Sequence, residues 1–197
     1  MSWEGALIRR GLMSVVLLLT MATSGRAAER IKLPLFGASL ALPEGWTGKV
    51  PPAPDVIKAD KHTFQTQIEA SCTSAACAIS QDTCEVMTYD DIINLWDIAS
   101  NALLFPTKGS MDETTQIILE KTSKGATVAK PLGREVLGQN TWFTLETTAA
   151  RGFKSVLHAR AVVHGRFFWA LCRTCATGES RFQTARALLA SIMVDAP

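Results

Sequence analysis

Two β-prone runs separated by only two residues constrain this chain more than any other stretch. One run ends at Val163, the next starts at Arg166, and His164-Gly165 lies between them. Gly tolerates the positive φ that a two-residue hairpin turn demands. With Val163 set opposite Arg166, every opposed pair follows, and alternation sorts the side chains into two faces. Leu157, Ala159, Ala161 and Val163 join Phe168, Ala170 and Cys172 on a dry face, expected to point to the core. Val156, His158, Arg160 and Val162 join Phe167, Trp169, Leu171 and Arg173 on a mixed face, with Arg160 directly across from Trp169. A guanidinium over an exposed indole contributes about 0.5–1 kcal/mol.

A helix is predicted to follow the hairpin. Phe182, Ala185, Leu188, Leu189, Ile192 and Met193 recur at helical spacing, with Arg181, Gln183, Thr184 and Arg186 between them. Thr177-Gly178-Glu179-Ser180 offers side-chain oxygens as N-caps. One apolar stripe beside a hairpin means a helix packed on a sheet.

The N-terminus reads as a secretory signal. Arg9 and Arg10 precede an apolar run from Leu12 to Leu19, and small residues around Ala27 and Ala28 suit cleavage. The run is well short of the ~20 residues a membrane-spanning helix needs. Residues 1–27 are therefore expected to be removed, and residues 28–197 to form one α+β domain. Cleavage takes away Arg9, Arg10, Arg26 and Glu4, so the 20 basic and 18 acidic residues become 17 of each. A neutral mature chain without a basic run has no electrostatic footprint for nucleic acid, and no stable membrane insertion is expected after cleavage.

Further along, Phe36, Leu40 and Leu42 mark an early strand that stops at Leu42-Pro43-Glu44-Gly45-Trp46, where Trp46 is expected to fold back as a lid. Phe64, Thr66, Ile68, Ala70 and Cys72 alternate with Gln65, Gln67, Glu69 and Ser71 as a half-buried strand. Short runs around Cys77-Ala78-Ile79 and Cys84-Glu85-Val86-Met87 fit one interrupted strand or two. Thr88 and Asp91 match a capping box before a helix with the stripe Ile92, Leu95, Trp96, Ala99, Ala102 and Leu103. Asp90, Asp91 and Asp97 read as helix-start and solvated-face charges. Residues 111–130 fit a helix or a strand, and a firmer strand runs from Thr141 to Thr148 with Phe143 and Leu145 opposite Trp142 and Glu146.

Three of these features occur together in a known family. They are the strand entering the Pro43-Glu44-Gly45-Trp46 turn, the helix over residues 91–104, and the strands after Gly138 that end in the helix holding Leu188-Leu189-Ala190-Ser191-Ile192. In this order the mature chain resembles the PsbP/DcrB-like family of small exported or lumenal domains. The resemblance implies an antiparallel sheet flanked by helices and a binding or accessory role. It brings no shared catalytic residue set, and the cysteines are not part of the pattern.

All five cysteines, Cys72, Cys77, Cys84, Cys172 and Cys175, lie in the mature part, where export favours disulfides and an odd count leaves one thiol. The alternation places Cys72 and Cys172 toward the core, and Cys175 just past a strand end, within reach of a loop cysteine such as Cys77 or Cys84. Cys172-Arg173-Thr174-Cys175 has redox spacing, but Ala176-Thr177-Gly178 separates it from the following helix, whose N-terminus would otherwise lower the thiol pKa. The same spacing suits a zinc thiolate pair, which an oxidising compartment disfavours. His62, His158 and His164 have no Ser or Cys nucleophile and carboxylate in a recognisable motif. No cofactor, metal or catalytic residue is assigned.

These features predict an exported module, periplasmic or secreted, that binds another protein or a small ligand without catalysis. Its contact surface is the mixed face, His158, Arg160, Phe167, Trp169 and Arg173, because Trp and Arg anchor interfaces. Two alternatives follow from the same residues: a thiol-disulfide oxidoreductase using Cys172 and Cys175, or an exported inhibitor or immunity protein.

Overall fold

The computed structural model describes residues 30–33, 37–51, 56–59, 62–89, 115–116, 118–120, 125–148 and 152–195. The signal segment expected over residues 1–27 and the helix expected over residues 91–104 lie outside them.

The described residues are mostly antiparallel β-structure. Eleven strands run in chain order: β1 (Arg30–Lys32), β2 (Ala38–Ala41), β3 (Trp46–Lys49), β4 (Val56–Ala59), β5 (His62–Cys72), β6 (Thr83–Tyr89), β7 (Val128–Leu137), β8 (Asn140–Thr148), β9 (Ser155–Val163), β10 (Arg166–Thr174) and β11 (Met193–Val194). Eight make one antiparallel sheet, in the order β3-β5-β6-β10-β9-β8-β7, with β4 also pairing β5. A small sheet, β1-β2-β11, is the second layer.

The hairpin takes the register expected of it. Arg166 opposes Val163, Trp169 opposes Arg160 and Cys172 opposes Leu157. His164 and Gly165 have φ of 48° and 76°, the two positive values of a type I′ turn, whose twist matches that of the flanking strands. The dry face of β9 and β10 packs with Ile68, Ala70, Val86 and Trp142 against Leu40 of the small sheet and Phe182, Ala185, Leu188 and Leu189. A smaller apolar group, Ile118, Leu132, Phe143 and Leu145, lies on the opposite face.

Helix is scarcer than expected. Among the described residues, a sheet flanked by helices reduces to the C-terminal helix Gln183–Ala190, a helical turn near Ile118 and two short 3-10 turns. The C-terminal helix has no side-chain cap; a 3-10 turn, Glu179–Phe182, leads into it instead of the expected Ser or Thr oxygen. It ends at Ala190, so Met193 passes into β11 and is exposed.

Other expectations shift for local reasons. Trp46 is not a lid: it opens β3 opposite Cys72 and is buried in the core. Cys77-Ala78-Ile79 is a turn, with Ile79 87% exposed, and Thr88 is a buried strand residue, not a helix cap. The alternation in β5 breaks at a bulge between Thr66 and Ile68, which buries Gln67. The bulge puts an extra residue on one strand, so parity changes across it. Strand β7 holds Pro131 and Gly133, residues that argue against a strand; it survives as the sheet's edge, where a missing N–H costs no ladder bond, and its register shifts twice. Gly138, in the turn from β7 to β8, has φ +63°, and an added Cβ would sit 2.4 Å from the Ala190 carbonyl oxygen. Only glycine lets this turn close onto the end of the C-terminal helix.

Candidate functional site

The mixed face of β9 and β10 extends across β8, β6 and β5. Strand pairing places Phe143, Arg160, Trp169, Met87 and Thr66 in one row, and Leu145, His158, Leu171, Glu85 and Glu69 in the next. Lys49 continues the second row on β3, opposite Glu69. A third row holds Thr147, Val156, Arg173, Thr83 and Ser71.

The five residues expected to form a contact surface share this face but not one environment. His158, Arg160 and Phe167 are buried, and Trp169 and Arg173 are half-buried. Of the five, Trp169 and Arg173 are the accessible ones, because the outer face of β9 is covered rather than solvated. The Arg160 guanidinium lies over the Trp169 ring, 5.1 Å from its centroid, as their cross-strand position predicts.

His158 is only 2% exposed. Its Nε2 and the Thr147 hydroxyl are 3.2 Å apart, and its Nδ1 is buried without a hydrogen-bond partner. Burial first, then the positive charges of Arg160 and Arg173, hold its pKa down to about 3. The ring is neutral at physiological pH and is not poised as a general base near neutrality.

Beyond Leu171 the face opens. Lys49, Glu69, Ser71, Thr83, Glu85 and Arg173 line a groove of about 340 Å³. The short side chains of Ser71 and Thr83 form the low ground between longer charged ones. Glu69 and Glu85 are direct cross-strand neighbours, a like-charge pairing that is unfavourable unless countered. Lys49 flanks one carboxylate in register; Arg173 stands 4.0 Å from the other. The Thr66 hydroxyl donates to Glu85 Oε1 at 2.8 Å and orients it.

A second charged group lies on the opposite face, beneath the C-terminal helix. Arg186 Nε donates to Glu135 at 2.7 Å and its Nη2 to Glu146 at 2.8 Å, while Arg181 donates to the other Glu146 oxygen. The Thr144 hydroxyl donates to Glu135 at 3.2 Å. Burial pushes the Glu135 carboxyl up, but the Arg186 hydrogen bond and charge outweigh it and hold it below the usual carboxylate range. Burial likewise opposes the charge on Arg186, and its two carboxylate partners more than restore it.

The cysteines resolve into two bridges and one thiol. Cys84 and Cys172 are opposed residues on β6 and β10, with Cα atoms 4.0 Å apart, and are bonded. Cys72 is bonded to Cys77 across the turn after β5. Cys175 is the free thiol and is half-exposed. The expectation that Cys175 bonds Cys77 or Cys84 is corrected: each of those faces a nearer cysteine across its own strand pair or turn. Cys172 is bonded to Cys84 and not to Cys175, and it lies in the core while Cys175 lies past the strand end. Among the described residues no group of three or more His, Cys, Asp or Glu side chains converges as a metal site.

Sequence reasoning missed Lys49, Glu69, Ser71, Thr83 and Glu85. A partial signal existed in Glu69-Ala70-Ser71 and Thr83-Cys84-Glu85, where a small or apolar residue between polar ones marks a strand with one wet face. Nothing local showed that β5 lies beside β6 and β6 beside β10.

No family model and no curated protein matches this chain. Solved structures with a similar arrangement do exist. The solution structure of cyanobacterial PsbP (CyanoP) from Synechocystis sp. PCC 6803 has a TM-score of 0.45 and 14% identity, covering 90% of this chain and 99% of that one. The crystal structure of LpqN, involved in cell envelope biogenesis of Mycobacterium tuberculosis, has a TM-score of 0.43 and 13% identity over 87% of each chain. A Bacteroides thetaiotaomicron crystal structure has a TM-score of 0.42 and 8% identity, over 86% of this chain and 49% of that one. The first bears the family name that the order of elements suggested. These are distant likenesses of fold, and no function passes from them to this chain.

Proposed function

We propose that this chain is an exported, non-catalytic binding or accessory module, acting in a periplasmic or other extracytoplasmic space after loss of residues 1–27. Its contact surface is the accessible part of the mixed face, from Trp169 to the groove beside Arg173. The observation that carries the reading is the use of the cysteines as staples. Four of the five are bonded, one pair joining adjacent strands β6 and β10 and the other clasping the turn after β5. Such bridges persist in oxidising compartments, and burial of Cys84 and Cys172 keeps that pair from reagents. No helix among the described residues is long and apolar enough to cross a membrane.

The test uses protein recovered from a periplasmic fraction. Intact mass should correspond to a start at Ala28 or Glu29 with two disulfides, and one thiol, Cys175, should titrate without denaturant. In an insulin-reduction assay the protein should add nothing to the rate given by the reductant alone. Catalytic insulin reduction that is lost in Cys172→Ser would replace this reading with the oxidoreductase one.

A further inference from the structure

We propose that the groove over Ser71 and Thr83 is a binding site for a small zwitterion of the α-amino-acid class. This rests on the reading of the chain as a binding module and names what the groove takes.

The argument starts from charge arrangement. Two carboxylates, Glu69 and Glu85, and two cations, Lys49 and Arg173, stand around one groove of about 340 Å³. Among the described residues, the single ion pair within this group is the 4.0 Å approach of Arg173 to Glu85. Lys49 and Glu69 are opposed in register, and no ion pair within 4.0 Å joins them among the described residues. Across the sheet, by contrast, Arg186 reaches both of its carboxylates within 2.8 Å. The groove's charges therefore remain available to an added molecule.

Their balance selects its chemistry. Two negative and two positive groups sum to zero, so the complement is a molecule with one charge of each sign rather than a net ion. Arg173 offers a planar fork suited to a carboxylate. Glu69 and Glu85, side by side on neighbouring strands, suit an ammonium, and the Thr66 hydroxyl fixes one Glu85 oxygen. The Ser71 and Thr83 hydroxyls lie between the two sets and can donate or accept. Ligand pockets span about 300–1,000 Å³, and this groove lies at the small end.

The experiment is an amide chemical-shift titration of the disulfide-bonded mature protein with glycine, L-serine and L-glutamine. Two analogues each lack one charge: N-acetyl-L-serine and L-serine methyl ester. At least one amino acid should give saturable shifts confined to Glu69, Ser71, Thr83, Glu85 and Arg173. Each analogue of L-serine should bind about tenfold more weakly, the order expected for losing one charge-assisted hydrogen bond. Arg173→Gln should weaken binding similarly, while keeping a dispersed spectrum. Absence of saturable shifts with all three amino acids overturns the proposal, as does equal binding of the charge-deleted analogues. Either result leaves the module reading standing; catalytic insulin reduction would remove that reading itself.

Discussion

The two charged groups of this sheet are built from the same residue types and do opposite things. Beneath the C-terminal helix, Arg181 and Arg186 close on Glu135 and Glu146, and the Glu146 side chain is 6% exposed. On the other face, Arg173 and Glu85 stand 4.0 Å apart with side chains 36% and 24% exposed. In the first set the Glu146 carboxylate has given up nearly all its water, so its charge must be satisfied by the two arginines. Glu135, 25% exposed, is held by Arg186 at 2.7 Å. The second keeps part of its hydration, and its members need not touch. Removing one partner is costly where the rest stay buried and cheap where water replaces it. A closed group thus belongs to stability, and an open one is free to serve binding.

The largest expected effect comes from breaking the closed group. Glu146→Ala leaves Arg181 and Arg186 facing each other beneath the helix. Removing one partner of a buried pair costs about 3–5 kcal/mol, and the residual exposure of both arginines places this case at the low end. Urea unfolding with the disulfides intact measures it. A loss below about 1 kcal/mol would mean that the group is open in solution, and the contrast between the two faces would fall.

Next in size is the pH response of His158, which lies between the two regimes: buried, but without a counter-charge among the described residues. Its folded pKa of about 3 is below the unfolded value near 6.5. Above pH 6.5 the ring is neutral in both states. As pH falls below 6.5 the unfolded chain takes a proton that the folded one refuses, so stability declines until about pH 3 and then levels. The slope approaches about 1.4 kcal/mol per pH unit. Between pH 6.5 and about 5 the depressed Glu135 carboxyl stays ionised and adds nothing. Denaturant midpoints across that window should drop for the wild type and flatten in His158→Gln. An unchanged slope in the variant would move the effect to another histidine.

The hairpin was legible because its information is local: a two-residue turn sets the register, and alternation sets the faces. The Arg160–Trp169 stack followed from that register alone. The C-terminal stripe was legible too, since Phe182, Ala185, Leu188 and Leu189 repeat with the helical period. What stayed hidden depends on strands distant in sequence. Glu69 and Glu85 meet only because β5 lies beside β6, and Arg173 joins them only because β6 lies beside β10. The closed group needed β7, whose Pro131 and Gly133 disguise an edge strand. Covering of the β9 outer face could not be read either, since alternation tells which residues share a face but not whether that face meets solvent.

The smallest effect is the most telling about the open group. Arg173→Gln removes the cation nearest Glu85 but leaves both groups within reach of water. Exposed pairs of this kind contribute about 0–1 kcal/mol, and a 4.0 Å separation belongs at the lower end. Glu69 and Glu85 lose a screening charge and repel somewhat more across partly hydrated space, while His158, neutral in both states at pH 7, feels the loss of this arginine only in acid. Urea unfolding at pH 7 should therefore place the variant within about 0.5 kcal/mol of wild type. Its acid limb should be slightly shallower than wild type, because a less hostile site lets folded His158 accept a proton at higher pH. A loss matching that of Glu146→Ala would show that Arg173 holds the sheet together, and the groove would then read as a structural ion pair.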